Sequence, residues 1–225
     1  MSMPFYVAPE QLMKDRADFA RKGIARGRSL VGATYDDGIL LCAENSSSTL
    51  HKVSEIYDRI AFAGVGRYSE FDALRIAGIR AADLKGYAYS REDVDARSLA
   101  NQYAQILNNV FTHEVKPMEV EILIAEVGAV PDDDQLFHLL YDGSVTDEER
   151  FSVLGGEAEA IAGRMGERWR DGADLAGVLG ACVAALAGPD RTLAAADLEV
   201  AALARSNDRR AFRRLQGEAL SSLLG

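Results

Sequence analysis

The sequence predicts an α+β chain folded as a four-layer α/β/β/α antiparallel sandwich, led by an N-terminal helix. Three observations predict it. Apolar segments of period two come in groups. Pairs of period-3.6 segments separate those groups without a linker. Strands grouped in this way stack as antiparallel sheets with helices outside, whereas a parallel sheet needs strand and helix to alternate singly. The 225 residues are 48 % hydrophobic. A chain of this length buries about 70–75 % of its unfolded surface and forms one substantial core.

The first helix carries Leu12, Met13, Ala17, Phe19, Ala20 and Ile24 on one face, and Gly23 and Gly27 weaken it towards its end. RSLVGATY and GILLCAEN follow as strands, joined by Asp36, Asp37 and Gly38, and an aspartate followed by glycine is a strong hairpin signal. Two more strands are expected at Lys52 to Tyr57 and Arg59 to Ala63. Ser69, with Asp72 three residues on, resembles a capping box opening a helix whose buried face is Phe71, Leu74, Ala77, Ala81 and Leu84. The next helix, Ala96 to His113, has the stripe Leu99, Tyr103, Ile106, Leu107, Val110 and Phe111. Its other face holds Asn101, Gln102, Gln105, Asn108 and Asn109, amides that suit either a protein contact or solvent.

The second half repeats the order. EVEILIAEV, QLFHLLYD and ERFSVLGG read as a three-stranded meander with turns at PDDD and DGS. Helices are expected from Glu157 to Arg170 and Leu175 to Ala187, then a strand at DLEVAALAR and a last helix from Arg209 to Leu224.

Composition excludes several functions. No apolar run approaches the ~20 residues of a membrane span, and the opening MSMPFYVAPEQ lacks the basic flank and apolar core of a secretory signal. The expectation is a cytoplasmic chain without membrane contact. A net charge of -10 disfavours nucleic-acid binding. Lys14, Arg16, Arg21, Lys22, Arg26 and Arg28 nevertheless make a basic island. Arg16 falls inside the apolar stripe, where a guanidinium needs a partner, which points to a protein interface. The two cysteines, Cys42 and Cys182, suit buried small hydrophobes rather than a disulfide framework.

Short motifs carry no chemistry. GVGRYS, residues 64–69, lies between strand and helix as a phosphate loop would, yet its third glycine position is Ser69 and no parallel strand follows. His51, His113 and His138 have no metal-ligand spacing, and Asp132, Asp133 and Asp134 lack the glycine and closing glutamate of a calcium loop. Neither metal nor cofactor is expected. Ser46, Ser47 and Ser48 have no neighbouring histidine or elbow glycine.

In that order of elements the stretch RSLVGATYDDGILLCAENSSSTLHKVSEIYDRIAFAGVGRYSEFDALR, preceded by an amphipathic helix, resembles the proteasome α-type subunits of actinobacteria. The similarity covers nearly the whole chain and is strongest from Tyr6 to Arg75. It implies the N-terminal-nucleophile hydrolase sandwich and one domain over 1–225, comprising a gating segment at 1–8, a helix at 9–27 and the sandwich at 28–225. It also implies a homo-heptameric ring, two of which cap rings of catalytic β subunits. In catalytic relatives the first strand begins at a free threonine whose own amine helps activate its hydroxyl. Here that position is Arg28, which cannot be such a nucleophile, and a helix precedes it. The supporting aspartate aligns with Glu44, and the family's lysine falls near Ser54 or Glu55.

The resemblance further implies a gate at Pro4, Phe5, Tyr6, Val7, Ala8 and Pro9, with Pro9 at the turn into the helix, where a fixed φ and a missing donor suit it. Lys52 resembles the lysine that receives the C-terminal carboxylate of a ring-shaped ATPase activator's tail, in a pocket between neighbouring subunits. Arg16, Phe19 and Arg26 would face the neighbour. By this reading the chain has no catalytic residue of its own and admits protein substrates to the β subunits. The other reading is an autonomous hydrolase of the same fold with a nucleophile such as Thr34 or Cys42.

Overall fold

The computed structural model describes residues 8–207 and 209–225. Helix α1 (Pro9–Ile24) opens with Pro9 at its first position, after an extended Ala8. The hairpin β1 (Leu30–Tyr35) and β2 (Gly38–Glu44) turns at Asp36 and Asp37. Then come β3 (Val53–Tyr57), β4 (Ile60–Gly66), α2 (Tyr68–Ala88) and α3 (Ala96–His113). The second half holds β5 (Val120–Glu126), β6 (Gln135–Leu139), β7 (Val145–Glu148), β8 (Phe151–Leu154), α4 (Ala158–Arg168) and α5 (Leu175–Ala187). It closes with β9 (Leu198–Ala204), β10 (Phe212–Leu215) and α6 (Gly217–Leu224).

The strands form two antiparallel five-stranded sheets, ordered β10-β9-β2-β1-β8 and β3-β4-β5-β6-β7. Side-chain alternation builds the layers. Ile39, Leu41 and Ala43 of β2 meet Ala61, Ala63, Leu123 and Ala125 of the other sheet, while Leu40 and Cys42 point outward to Val178, Leu179 and Cys182 of α5. With both faces covered, GILLCAE has no polar alternation before its final glutamate. On the far side α2 and α3 pack Phe71, Leu74, Leu99, Tyr103 and Leu107 against Phe62, Ile122, Ile124 and Phe137. Layer order is therefore helix, sheet, sheet, helix, as expected. Only Ala20 and Ile24 of α1 are buried, closing one end of the layer between the sheets.

Four details differ from the sequence expectation. The last helix was expected from Arg209, but Phe212 to Leu215 pairs with β9, and α6 starts only at Gly217. An unpartnered sheet edge outweighs a local helical period. The expected meander breaks, because β7 intervenes and β8 crosses to pair with β1. VTDE of β7 is largely exposed and carries no apolar alternation to announce a strand. The buried face of α2 is Phe71, Leu74, Gly78 and Ala82, leaving Leu84 69 % exposed. Finally, α2 is capped at Arg67 without a side-chain cap, and Asp72 pairs with Arg75 at 2.8 Å instead of closing a capping box with Ser69.

Candidate functional site

The two ends of the β1–β2 hairpin differ in chemistry. At the mouth, the N–H of Glu44 donates to the carbonyl of Ser29 (3.1 Å), so Arg28 and Glu44 flank one another. The Arg28 guanidinium donates to Glu44 Oε1. Arg191 grips the same carboxylate with both nitrogens, at 3.0 and 3.2 Å, and also donates to the carbonyl of Leu186 (2.9 Å) at the end of α5. A carboxylate only 9 % exposed is thus held between two guanidiniums, which offsets its loss of water.

Lys52 approaches the main chain of the same two residues. Its Nζ donates to the carbonyl oxygens of Arg28 (2.6 Å) and Glu44 (3.1 Å). Burial pulls the amine down to about 8, opposed by the carboxylates of Glu199 and Glu44 and assisted by Arg28. An ammonium has three N–H donors, and two of them are used among the described residues. The main-chain N–H of Lys52 donates to Glu199 (2.7 Å). Sequence reasoning missed Glu199, because a glutamate in a continuous apolar strand has no local signal of its partner. Arg191 was likewise invisible, lying 147 positions from Glu44. Ser54 and Glu55, where the family's lysine was aligned, supply no cation, and Glu55 pairs with Arg210 instead.

The candidate nucleophiles do not converge. Cys42 is fully buried and its thiol is pushed up to about 12, which leaves almost no thiolate near neutrality. Thr34 sits at the other end of the hairpin and donates to the carbonyl of Arg150 (3.2 Å). Ser47 Oγ accepts from the Leu50 N–H (3.0 Å) as part of its own turn. Gly66 has φ +110, and a Cβ there would overlap the carbonyl of Glu119, so this glycine serves close strand packing rather than a phosphate loop. The three histidines remain apart: His51 Nδ1 lies 3.2 Å from Glu199, His113 is at the end of α3, and His138 lies on β6 3.9 Å from Glu121.

Pro4, Phe5, Tyr6 and Val7 lie outside the described residues; Ala8 and Pro9 form the start of α1. Arg16 donates to the carbonyl of Phe111 (2.6 Å), so the partner its place in the stripe demanded exists within the chain. Phe19 is 46 % exposed beside Lys116, Leu12 and Met13 are also uncovered, and Arg26 is exposed past the helix end. The apolar stripe of α1 is therefore only half covered by the described residues. No helix among the described residues is long and apolar enough to cross a membrane.

Comparison with known proteins finds a family that matches most of the chain. The family described as proteasome subunit matches residues 24–208. A proteasome subunit alpha from Sanguibacter keddieii is 62 % identical over 229 residues, spanning 100 % of this chain and 90 % of its own. That from Acidimicrobium ferrooxidans is also 62 % identical, spanning 100 % and 97 %. The Thermobifida fusca protein of the same name is 56 % identical, spanning 100 % and 91 %.

Proposed function

The chain belongs to the proteasome subunit family, its relatives being α subunits, and from that membership we propose that it is a non-catalytic α subunit of the proteasome core. Seven copies form an outer ring that stacks on β subunits, in which the threonine nucleophiles reside. The ring admits protein substrates in the cytoplasm.

One observation carries the non-catalytic reading. Where catalytic relatives begin with a free threonine, this chain has Arg28, bound to Glu44 and preceded by α1. An arginine stays protonated, and a residue inside the chain has no amine to serve as base. The burial of Cys42 and the bonded hydroxyl of Thr34 supply nothing in its place.

The gate is residues 1–8 with Pro9 fixing the turn into α1, and the uncovered side of α1 at Phe19 and Arg26 meets the next copy, with Arg16 seating the helix. Lys52 receives the carboxylate at the end of an ATPase activator's tail, through the N–H left free by Arg28 and Glu44. The test compares particles assembled from β subunits and either the whole chain or one lacking residues 2–8. The shortened chain keeps α1 and every strand and helix after it, and particles built with it should degrade unfolded protein faster. Equal rates at matched β-subunit processing would end the gate reading, and peptide turnover by the isolated chain would end the non-catalytic one.

A further inference from the structure

Glu199 lies on β9 with its side chain 6 % exposed, and four donors converge on its two oxygens. Oε2 accepts from the Asn45 side-chain amide (2.8 Å) and the Lys52 N–H (2.7 Å). Oε1 accepts from the Val53 N–H (3.2 Å) and the Arg214 guanidinium (2.8 Å), with His51 Nδ1 at 3.2 Å. The partners are themselves tied to the same stretch of chain. Asn45 donates to the carbonyl of Leu50 (2.8 Å), and Arg214 donates to the carbonyl of Val53 (2.5 Å).

One carboxylate of the first sheet thus grips both ends of residues 45–53, the segment that crosses to the second sheet. Two of its bonds go to consecutive main-chain N–H groups at the start of β3. Resting on the reading of Lys52 as the docking lysine, we infer that Glu199 is its positioning residue, fixing the main chain of Lys52 and Val53 so that the ammonium meets the carbonyls of Arg28 and Glu44 and keeps its third N–H for an incoming carboxylate.

The arrangement explains why a glutamate is needed. A glutamine has the same shape but one NH2 group, and whichever side that group takes, it faces donors. Segment 45–53 would then lose bonds on that side and Lys52 its aim, and the ammonium would also lose a carboxylate that favours its charged form, an effect that Asn45→Ala does not share.

The test uses particles assembled with β subunits and two fluorescent peptides copied from the activator's C-terminus, one a free acid and one amidated. Glu199→Gln should weaken the free-acid peptide about tenfold and leave the amidated one unchanged. Hydrogen exchange across 45–53 should quicken. Asn45→Ala, which leaves the buried carboxylate in place, should shift both readouts the same way by less, and decides the matter if Glu199→Gln fails to assemble. Equal weakening of both peptides would mean a general loss of structure and overturn the inference. So would an unchanged acid-to-amide preference in Glu199→Gln and Asn45→Ala while Lys52→Ala abolishes it. If Lys52→Ala itself keeps the preference, the docking reading fails and takes this inference with it.

Discussion

Lys52 Nζ lies 2.6 Å from the carbonyl oxygen of Arg28, so the proposed docking cation rests on the main chain of the residue that, in the proposed reading, stands where catalytic relatives carry a threonine. Side-chain changes at Arg28 leave that bond in place. The two functions proposed for this corner, lost catalysis and gained docking, are therefore mechanically separable.

The first prediction follows from the depressed pKa of Lys52. A lysine ordinarily titrates near 10.4, whereas burial brings this one to about 8. Docking a carboxylate needs the charged form, so affinity should fall as pH rises through about 8. For folding the sign is opposite: between about 8 and 10.4 the unfolded chain holds the extra proton, so this group makes the protein more stable as pH rises. Tail-peptide titrations from pH 6.5 to 9.5 would show the fall in the wild type and its absence in Lys52→Arg, and a flat wild-type profile would refute it.

A second prediction concerns the seat of α1. A Cβ at Gly23 would overlap the Glu119 carboxylate, which Lys116 holds at 2.9 Å and Arg67 at 3.5 Å. Glycine to alanine in a helix normally stabilises by about 1 kcal/mol. Here the overlap should reverse the sign, costing about 1–3 kcal/mol. Urea unfolding of Gly23→Ala should show the loss, and Glu119→Ala in the same chain should recover part of it. Independent, additive effects would mean the two residues do not collide.

The layers of the fold were legible because period-two and period-3.6 patterns report burial on one or both faces. GILLCAE and the strands around it needed no further information. What failed was decided by distant partners. FRRL reads as helix until the free edge of β9 is known, and the packed face of α2 is set by Tyr103 resting at Gly78, which favoured a glycine over the more apolar Leu84. In the candidate site, Lys52 and Arg28 are singled out by family resemblance alone. Glu199 and Arg191 were not, since a buried carboxylate and its cation meet only after the sheets stack.

A third prediction concerns acid sensitivity. His138 lies between the sheets, its side chain 15 % exposed and 3.9 Å from Glu121. Burial holds its imidazole down at about 4 and pushes the Glu121 carboxyl up. A free histidine titrates near 6.5, so between about 6.5 and 4 the unfolded chain takes the proton and stability falls as pH falls. Glu121, raised in the folded chain, has the opposite sign. By about pH 5 the His138 contribution should amount to a loss on the order of 2 kcal/mol. Urea midpoints at pH 7 and 5 should fall further in the wild type than in His138→Leu, and equal falls would show that this imidazole does not set the acid limb.

The last prediction is that Arg28→Thr restores a hydroxyl and no activity. A threonine at 28 would sit inside the chain, with Gly27 acylating its nitrogen, so the amine that serves as base in catalytic relatives is absent. Beginning the chain at 28 would not repair this, because it removes α1, and with it Ala20 and Ile24 from the end of the core. Glu44 would keep its bidentate bond to Arg191. The lost ion pair involves a guanidinium 60 % exposed and should change stability by about 1 kcal/mol or less. Lys52 would keep both carbonyl partners, since each belongs to the main chain. Particles carrying Arg28→Thr should therefore bind the tail peptide within about twofold of wild type, and the isolated variant should turn over no fluorogenic peptide. Turnover that appears with Arg28→Thr and vanishes with Arg28→Ala would mean that the scaffold had kept a base of its own.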